Sequence, residues 1–168
     1  MLLAALASIF LLLGRASQPN IAFLGRLPGS GRYSDSARHE GVEPLVGVIA
    51  FRPEASLLYI NAETILETVL EALRKSSDVS MVACDLSASP YIDLAGARML
   101  LDLHDELASR HVAFCIVGAH AQLRDLLRAE GLAEKTDSGE WLRTLDSVLG
   151  EGNARERSAP REERAPGS

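Results

Sequence analysis

Two runs, VSMVACDL at 79–86 and HVAFCIVG at 111–118, constrain this chain more than any other feature. Both are rich in β-branched and small apolar residues and lack the strict alternation of a strand with one wet face, so each reads as a strand buried on both faces. Ahead of the first, Ile65, Leu66, Val69, Leu70 and Leu73 make an apolar stripe at helical spacing. Ahead of the second, Ala97, Leu100, Leu101, His104, Leu107 and Ala108 repeat at the same period, as far as Ser109. Buried strands separated by amphipathic helices need parallel neighbours and right-handed crossovers, which places the chain in the α/β class.

The other elements are read around this unit. LVGVIAF (45–51), ended by Arg52 and Pro53, and LLYI (57–60) predict two strands joined as a hairpin. Asn61 is placed to accept hydrogen bonds from free amides at the start of the first helix, and Ser76 to Asp78 break that helix. SASPYID (87–93) is a loop, because Pro90 lacks a donor and biases Ser89 away from helical geometry. A further helix spans 121–130, with Gly131 as the left-handed residue after its end, and a last one is expected over 141–149. The predicted order is β-β-α-β-α-β-α-α.

A chain of 168 residues has room for one ordinary core. We place the folded domain at 45–149. Residues 14–44, rich in Gly, Pro, Ser and Arg and without helical or strand periodicity, are read as a linker lying along it. Residues 150–168 hold four Arg, four Glu and no large apolar side chain, which predicts a disordered tail whose charges cancel and make no polybasic anchor.

The apolar run at 1–13, MLLAALASIFLLL, is too short to span a bilayer, which takes about 20 residues. A run of this length fits a buried helix, an interfacial segment or a signal-peptide core. No basic residue precedes it and no A-x-A site follows, which argues against a signal peptide. We read it as the cytoplasmic end of a longer transmembrane helix, with Arg15 as its inner flank.

The net charge of −6 argues against a nucleic-acid partner, which would call for clustered excess Lys and Arg. The two cysteines, Cys84 and Cys115, each lie inside an apolar run and form no CxxC motif, so both are expected as buried free thiols. No N-x-S/T acceptor is present.

Three stretches resemble the carboxy-terminal end of SulP-type anion transporters. PNIAFLGRLPGSGRYSD (19–35), just after an apolar helix end, is similar to the link between the last membrane helix and the STAS domain of that family. GVIAFRPEASLLYINAETI (47–65) resembles the family's two strands leading to an Asn-Ala at a helix start. VACDLSASPYIDLAGARML (82–100) resembles its strand, loop, and Asp and Gly opening the next helix. The resemblance implies a STAS-like fold, a central mixed β-sheet flanked by helices.

In related stand-alone STAS proteins that antagonise anti-sigma factors, a serine just before that glycine is phosphorylated by a partner kinase. The matching residue here is Ala95, which has no hydroxyl to accept phosphate. Asp93, Leu94, Ala95 and Gly96 thus keep the form of a switch loop without that chemistry. Unpaired amides at a helix start leave open an anion or nucleotide there, or a protein partner. The plainer reading is that Asp93 caps the helix and Gly96 permits close packing.

Other motifs carry less. GRLPGSGR (25–32) is similar to a phosphate-binding loop but lacks its Lys-Ser/Thr ending and a preceding strand. Asp102 and Glu106 share a helix face that excludes His104, so with Asp105 they read as a solvated face rather than a metal site. His104 is expected to pack on the apolar stripe, and His39 to lie on the surface. Ser87 and Ser89 lie near Asp85 and Asp93 without a histidine nearby in the chain, and Asp85 is expected to bond turn amides at its strand's end.

No catalytic residue, cofactor or metal is expected. The resemblance implies a non-catalytic regulatory and protein-interaction module of a sulfate or other anion transporter, membrane-associated through its amino-terminal segment and facing the cytoplasm. Its partner would be the transporter's membrane domain or another regulatory protein. A stand-alone anti-sigma-antagonist-like binding protein without the phosphoacceptor serine is the alternative.

Overall fold

The computed structural model describes residues 20–30 and 32–150, together with Leu3, 6–9 and Gly14. Five strands make one mixed sheet: β1 (Ile21–Leu27), β2 (Arg32–Asp35), β3 (Val48–Pro53), β4 (Met81–Asp85) and β5 (Ala113–Val117). Their order across the sheet is β2-β1-β3-β4-β5. β3, β4 and β5 are parallel, with Phe51 beside Cys84 and Cys84 beside Ile116. β1 runs antiparallel to both its neighbours, with Phe23 opposite Phe51 and Leu24 opposite Asp35.

The helices follow from the stripes. α1 (Tyr59–Lys75) buries Ala62, Ile65, Val69 and Leu73, and α2 (Leu94–Ser109) buries Ala97, Leu100, Leu103 and Leu107. α3 (Ala121–Ala129) ends at Glu130, and Gly131 at φ 83° leads into a single extra turn, α4 (Leu132–Lys135). Only a residue without Cβ takes that left-handed φ at little cost.

Because side chains alternate along a strand, β1, β3, β4 and β5 each serve two cores. Ile49, Phe51, Val82, Cys84 and Ile116 pack under the helices, around Leu57, Leu86, Leu103 and Trp141. On the other face, Ala22, Ala50, Ala83 and Cys115 are small enough to admit Leu145, Val148 and Leu149, which belong to the helical stretch 145–150. Here burial pushes the Cys115 thiol up to about 12, and burial also raises Cys84 well above its ordinary value.

The α/β order holds from β3 onward, but three expectations are corrected. Ile21–Leu27 and Arg32–Asp35, read as part of a linker over 14–44, pair as the β1–β2 hairpin. Ile21 and Phe23 pack against the helix-side core and Ala22 and Leu24 against the other, so the run IAFL is buried on both faces and shows no alternation to read. The turn-rich residues after it hid the strand. Gly25 is required by a crossing: residue 43 bridges Arg26, with N–H···O distances of 2.8 and 2.9 Å, and a Cβ on Gly25 would stand 2.6 Å from the Glu43 carbonyl oxygen.

The second correction is at 57–60. Leu57 makes one parallel bridge to Ile92, and helix α1 has begun by Tyr59. β3 accordingly has β1 and β4 as neighbours, not a strand from 57–60. The third concerns 141–149, which splits into a 3-10 turn at Glu140–Leu142 and the helical stretch 145–150. The tail expected over 150–168 lies outside the described residues beyond Gly150. The membrane-helix end expected over 1–13 lies largely outside them too; there Leu3, Leu6 and Ile9 are helical and exposed. Among the described residues no helix is long and apolar enough to cross a membrane.

Candidate functional site

The loop between β4 and α2 is pinned to the start of α1. Ser89, fully buried, donates its hydroxyl to the Pro53 carbonyl at 3.1 Å. Leu57 donates its amide to the Tyr91 carbonyl, and the Asp93 amide donates to the Leu57 carbonyl, both at 3.0 Å. These bonds bring two helix N-termini side by side.

A helix start leaves amides without intrahelical partners, and a cap must satisfy them. α2 is capped by Asp93, whose Oδ1 accepts from the Gly96 amide at 2.9 Å. α1 starts after Leu58, which has no side-chain acceptor. Its first helical amide, Tyr59, donates instead to the other Asp93 oxygen, Oδ2, at 2.9 Å. Asn61 completes the arrangement: its carbonyl accepts from the Leu58 amide and its amide donates to the Ser56 carbonyl, both at 2.9 Å, with the side chain 2% exposed.

Gly96 is buried where the two helix starts meet. A Cβ there would lie 2.6 Å from the Leu57 carbonyl oxygen and 2.9 Å from Ile92 Cγ1. The cap and close packing expected of Asp93 and Gly96 are thus both present. An anion or nucleotide at these amides would meet the Asp93 carboxylate already seated on two of them, so the geometry argues against it.

Side chains around the loop point outward. Leu94 is exposed and Ala95 half-buried; Tyr59, Ile60 and Tyr91 are exposed beside them. Among the described residues of the folded domain, the other large apolar side chains so exposed are Val46 and Leu142. A groove of about 810 Å³ runs from this lip between α1 and α2, over Ala62, Leu66 and Met99, with Glu63 and Asp102 on its flanks. Asp93 to Gly96 are legible in the sequence as a helix start, whereas Tyr59 and Ile60, expected in a strand, lie in the first turn of α1. Their signal was available: Tyr59 precedes Ile65 by six positions, about 120° round a helix from the buried stripe.

Other candidates resolve into structural roles. Asp85 Oδ1 accepts from the Ser87 amide at 3.0 Å, as expected, and Asp85 lies 3.9 Å from Arg52. Arg52 and Arg38 both reach Glu54, at 3.4 and 3.5 Å, tying the end of β3 to the turn after β2. Folding brings His120 within 3.4 Å of the Ser87 carbonyl rather than its hydroxyl, so these two residues do not make a nucleophile–base pair. His104 packs edge-on against Phe114 and contacts Asp105 at 2.8 Å. A hydrogen bond from Lys135, then one from His104, holds the Asp105 carboxyl below its ordinary range. Among the described residues no three His, Cys, Asp or Glu side chains come together as a metal site. The glycine-rich stretch that opens at Gly25 is the end of β1, followed by the turn at 28–30 that leads to β2, so a strand does precede the turn but it ends in a hairpin rather than a helix start.

A mixed sheet with two crossover helices whose starts share one acidic loop defines a STAS-type α/β domain. The STAS domain model matches residues 38–148, about two thirds of the chain, and the chain belongs to that family. It is homologous to SulP-type sulfate transporters, of which it covers the STAS part. A probable sulfate transporter of Mycobacterium tuberculosis is 28% identical over 149 residues, 88% of this chain and 27% of that protein. The chain thus spans about a quarter of that relative's length. The murine Solute Carrier 26 member A9 anion transporter, in its inward-facing state, superposes with a TM-score of 0.74 at 19% identity, over 87% of this chain and 24% of that one. The anti-sigma factor antagonist SpoIIAA in its unphosphorylated form superposes with a TM-score of 0.52 at 13% identity, over 64% and 89%. These two likenesses show the fold.

Proposed function

We propose that this chain is the STAS regulatory and protein-interaction module of a SulP-type sulfate or other anion transporter, facing the cytoplasm and non-catalytic. Transport takes several membrane helices around a mid-depth site, and such a path would lie in a membrane domain joined to this one. The observation that carries the reading is the exposed cluster of Tyr59, Ile60, Tyr91 and Leu94 round a loop whose key polar groups are satisfied internally. Such a surface offers contact area rather than reactive groups. The apolar run at 1–13 would end the last membrane helix, and the β1–β2 hairpin would pass its position directly into the sheet.

Replacing the corresponding region of the mycobacterial relative with this chain, then measuring sulfate uptake in cells, tests the proposal. Uptake above that of the transporter lacking any STAS part, lowered by Leu94→Asp, is the expected result. Equal uptake with and without the chain would overturn it. A free-standing antagonist-like binder is the second reading, supported by the likeness to SpoIIAA over most of that protein. Carbonate washing of membranes from cells making the chain separates the two: retention supports the tethered module, and a soluble monomer the free binder.

A further inference from the structure

The groove between α1 and α2 has a chemistry of its own. Its floor is apolar, from Ala62, Leu66 and Met99, and its lip carries Tyr59, Ile60 and Leu94. Its flanks are acidic. Glu63 on α1 and Asp102 on α2 are exposed and form no ion pair among the described residues. The cation on that wall, Arg98, is held by Glu130 at 3.2 Å, which cancels its charge. The long furrow between two helices accepts the ridge of a third, and carboxylates on both walls select positive flanks on whatever lies between them.

We propose that this groove docks a short amphipathic helix of a protein partner, with a Leu- or Phe-type apolar edge and Lys or Arg on both sides. The inference rests on the interaction-module reading above and names its partner's chemistry: cytoplasmic segments flanking membrane helices carry excess Lys and Arg, which fits an acidic-walled groove. A second copy of this chain is a poor occupant, because the net charge of −6 and the same acidic flanks would face each other.

The test uses the whole chain, isotope-labelled, and two synthetic 18-residue helical peptides of identical Leu pattern, one flanked by Lys and the other by Glu. The Lys peptide is expected to shift the amide signals of Tyr59, Ile60, Leu66 and Leu94 and to bind at least about tenfold more tightly than the Glu peptide. Glu63→Lys with Asp102→Lys should reverse that preference while leaving the fold's spectrum intact, and Leu94→Ser, which removes an apolar contact common to both peptides, should weaken each by about tenfold. Equal affinity for the two peptides, shifts mapping elsewhere, or concentration-dependent self-association through Tyr59 and Leu94 would overturn the proposal. Sulfate uptake by the chimera reports separately. Uptake that depends on the chain but not on Glu63 and Asp102 sinks the groove and spares the module, whereas peptide binding without an effect on uptake does the reverse.

Discussion

Asp93 supplies the cap that Leu58 cannot, accepting the Tyr59 amide at 2.9 Å across 34 positions of sequence while its other oxygen caps its own helix. One carboxylate therefore fixes the mutual position of two helix starts and of the surface they carry. Asp93→Ala should cost about 1–3 kcal/mol, more than an ordinary single cap, because both amides lose their acceptor. Asp93→Asn, which keeps one acceptor oxygen, should cost less than Asp93→Ala. Urea denaturation of the three proteins checks the ranking, and an equal midpoint for Asp93→Ala and the parent would contradict the shared cap.

Gly96 and Gly131 are required for different reasons. Gly96→Ala puts a methyl 2.6 Å from a backbone oxygen, so the two helix starts must part, at about 1–3 kcal/mol. Gly131→Ala meets nothing within 4 Å but keeps φ near 83°, at about 1 kcal/mol. Groove residues should register the first change and not the second, which amide spectra of the two variants will show.

The hairpin is part of the fold. A chain begun at Leu45 loses the strand that covers β3, and with it the buried Ala22 and Leu24 and the packed Ile21 and Phe23. Each large apolar side chain stabilises by about 1.5–3 kcal/mol when fully buried, so the loss is a large share of a stability of about 5–15 kcal/mol. A chain begun at Asn20 should unfold cooperatively, and one begun at Leu45 should aggregate or melt without a sharp transition in calorimetry.

Both thiols should be silent toward a thiol-specific chromogenic reagent in the native state and react together on unfolding. Burial raises both in the folded protein, Cys115 from 9.0 to about 12, so the unfolded chain sheds these protons first as pH rises. Stability from this source is fully present below pH 9.0 and falls above it, through about pH 12 for Cys115, at up to about 1.4 kcal/mol per pH unit for each thiol. Replacing Cys115 with Ala should flatten the alkaline decline in denaturation midpoint; an unchanged slope would contradict burial as its cause.

Sequence by itself determined the parallel core and its helices. Val79 to Leu86 and His111 to Gly118 are apolar enough to be strands only if buried, and the stripes of α1 and α2 have one period and one face each. It also located Asp93 and Gly96, because a cap and a glycine at a helix start are local chemistry. Tertiary structure decided the rest. Ile21 to Leu24 become a strand because β3 offers an open edge and apolar space on both faces, which four residues among turn-formers cannot announce. Of Leu57 to Ile60, a strand by composition, Tyr59 and Ile60 open a helix because Asp93 accepts the Tyr59 amide and Asn61 the Leu58 amide just ahead of it, while Leu57 keeps a single bridge to Ile92. The groove and its acidic walls exist only once α1 and α2 lie together, since Glu63 and Asp102, 39 positions apart, share no local pattern.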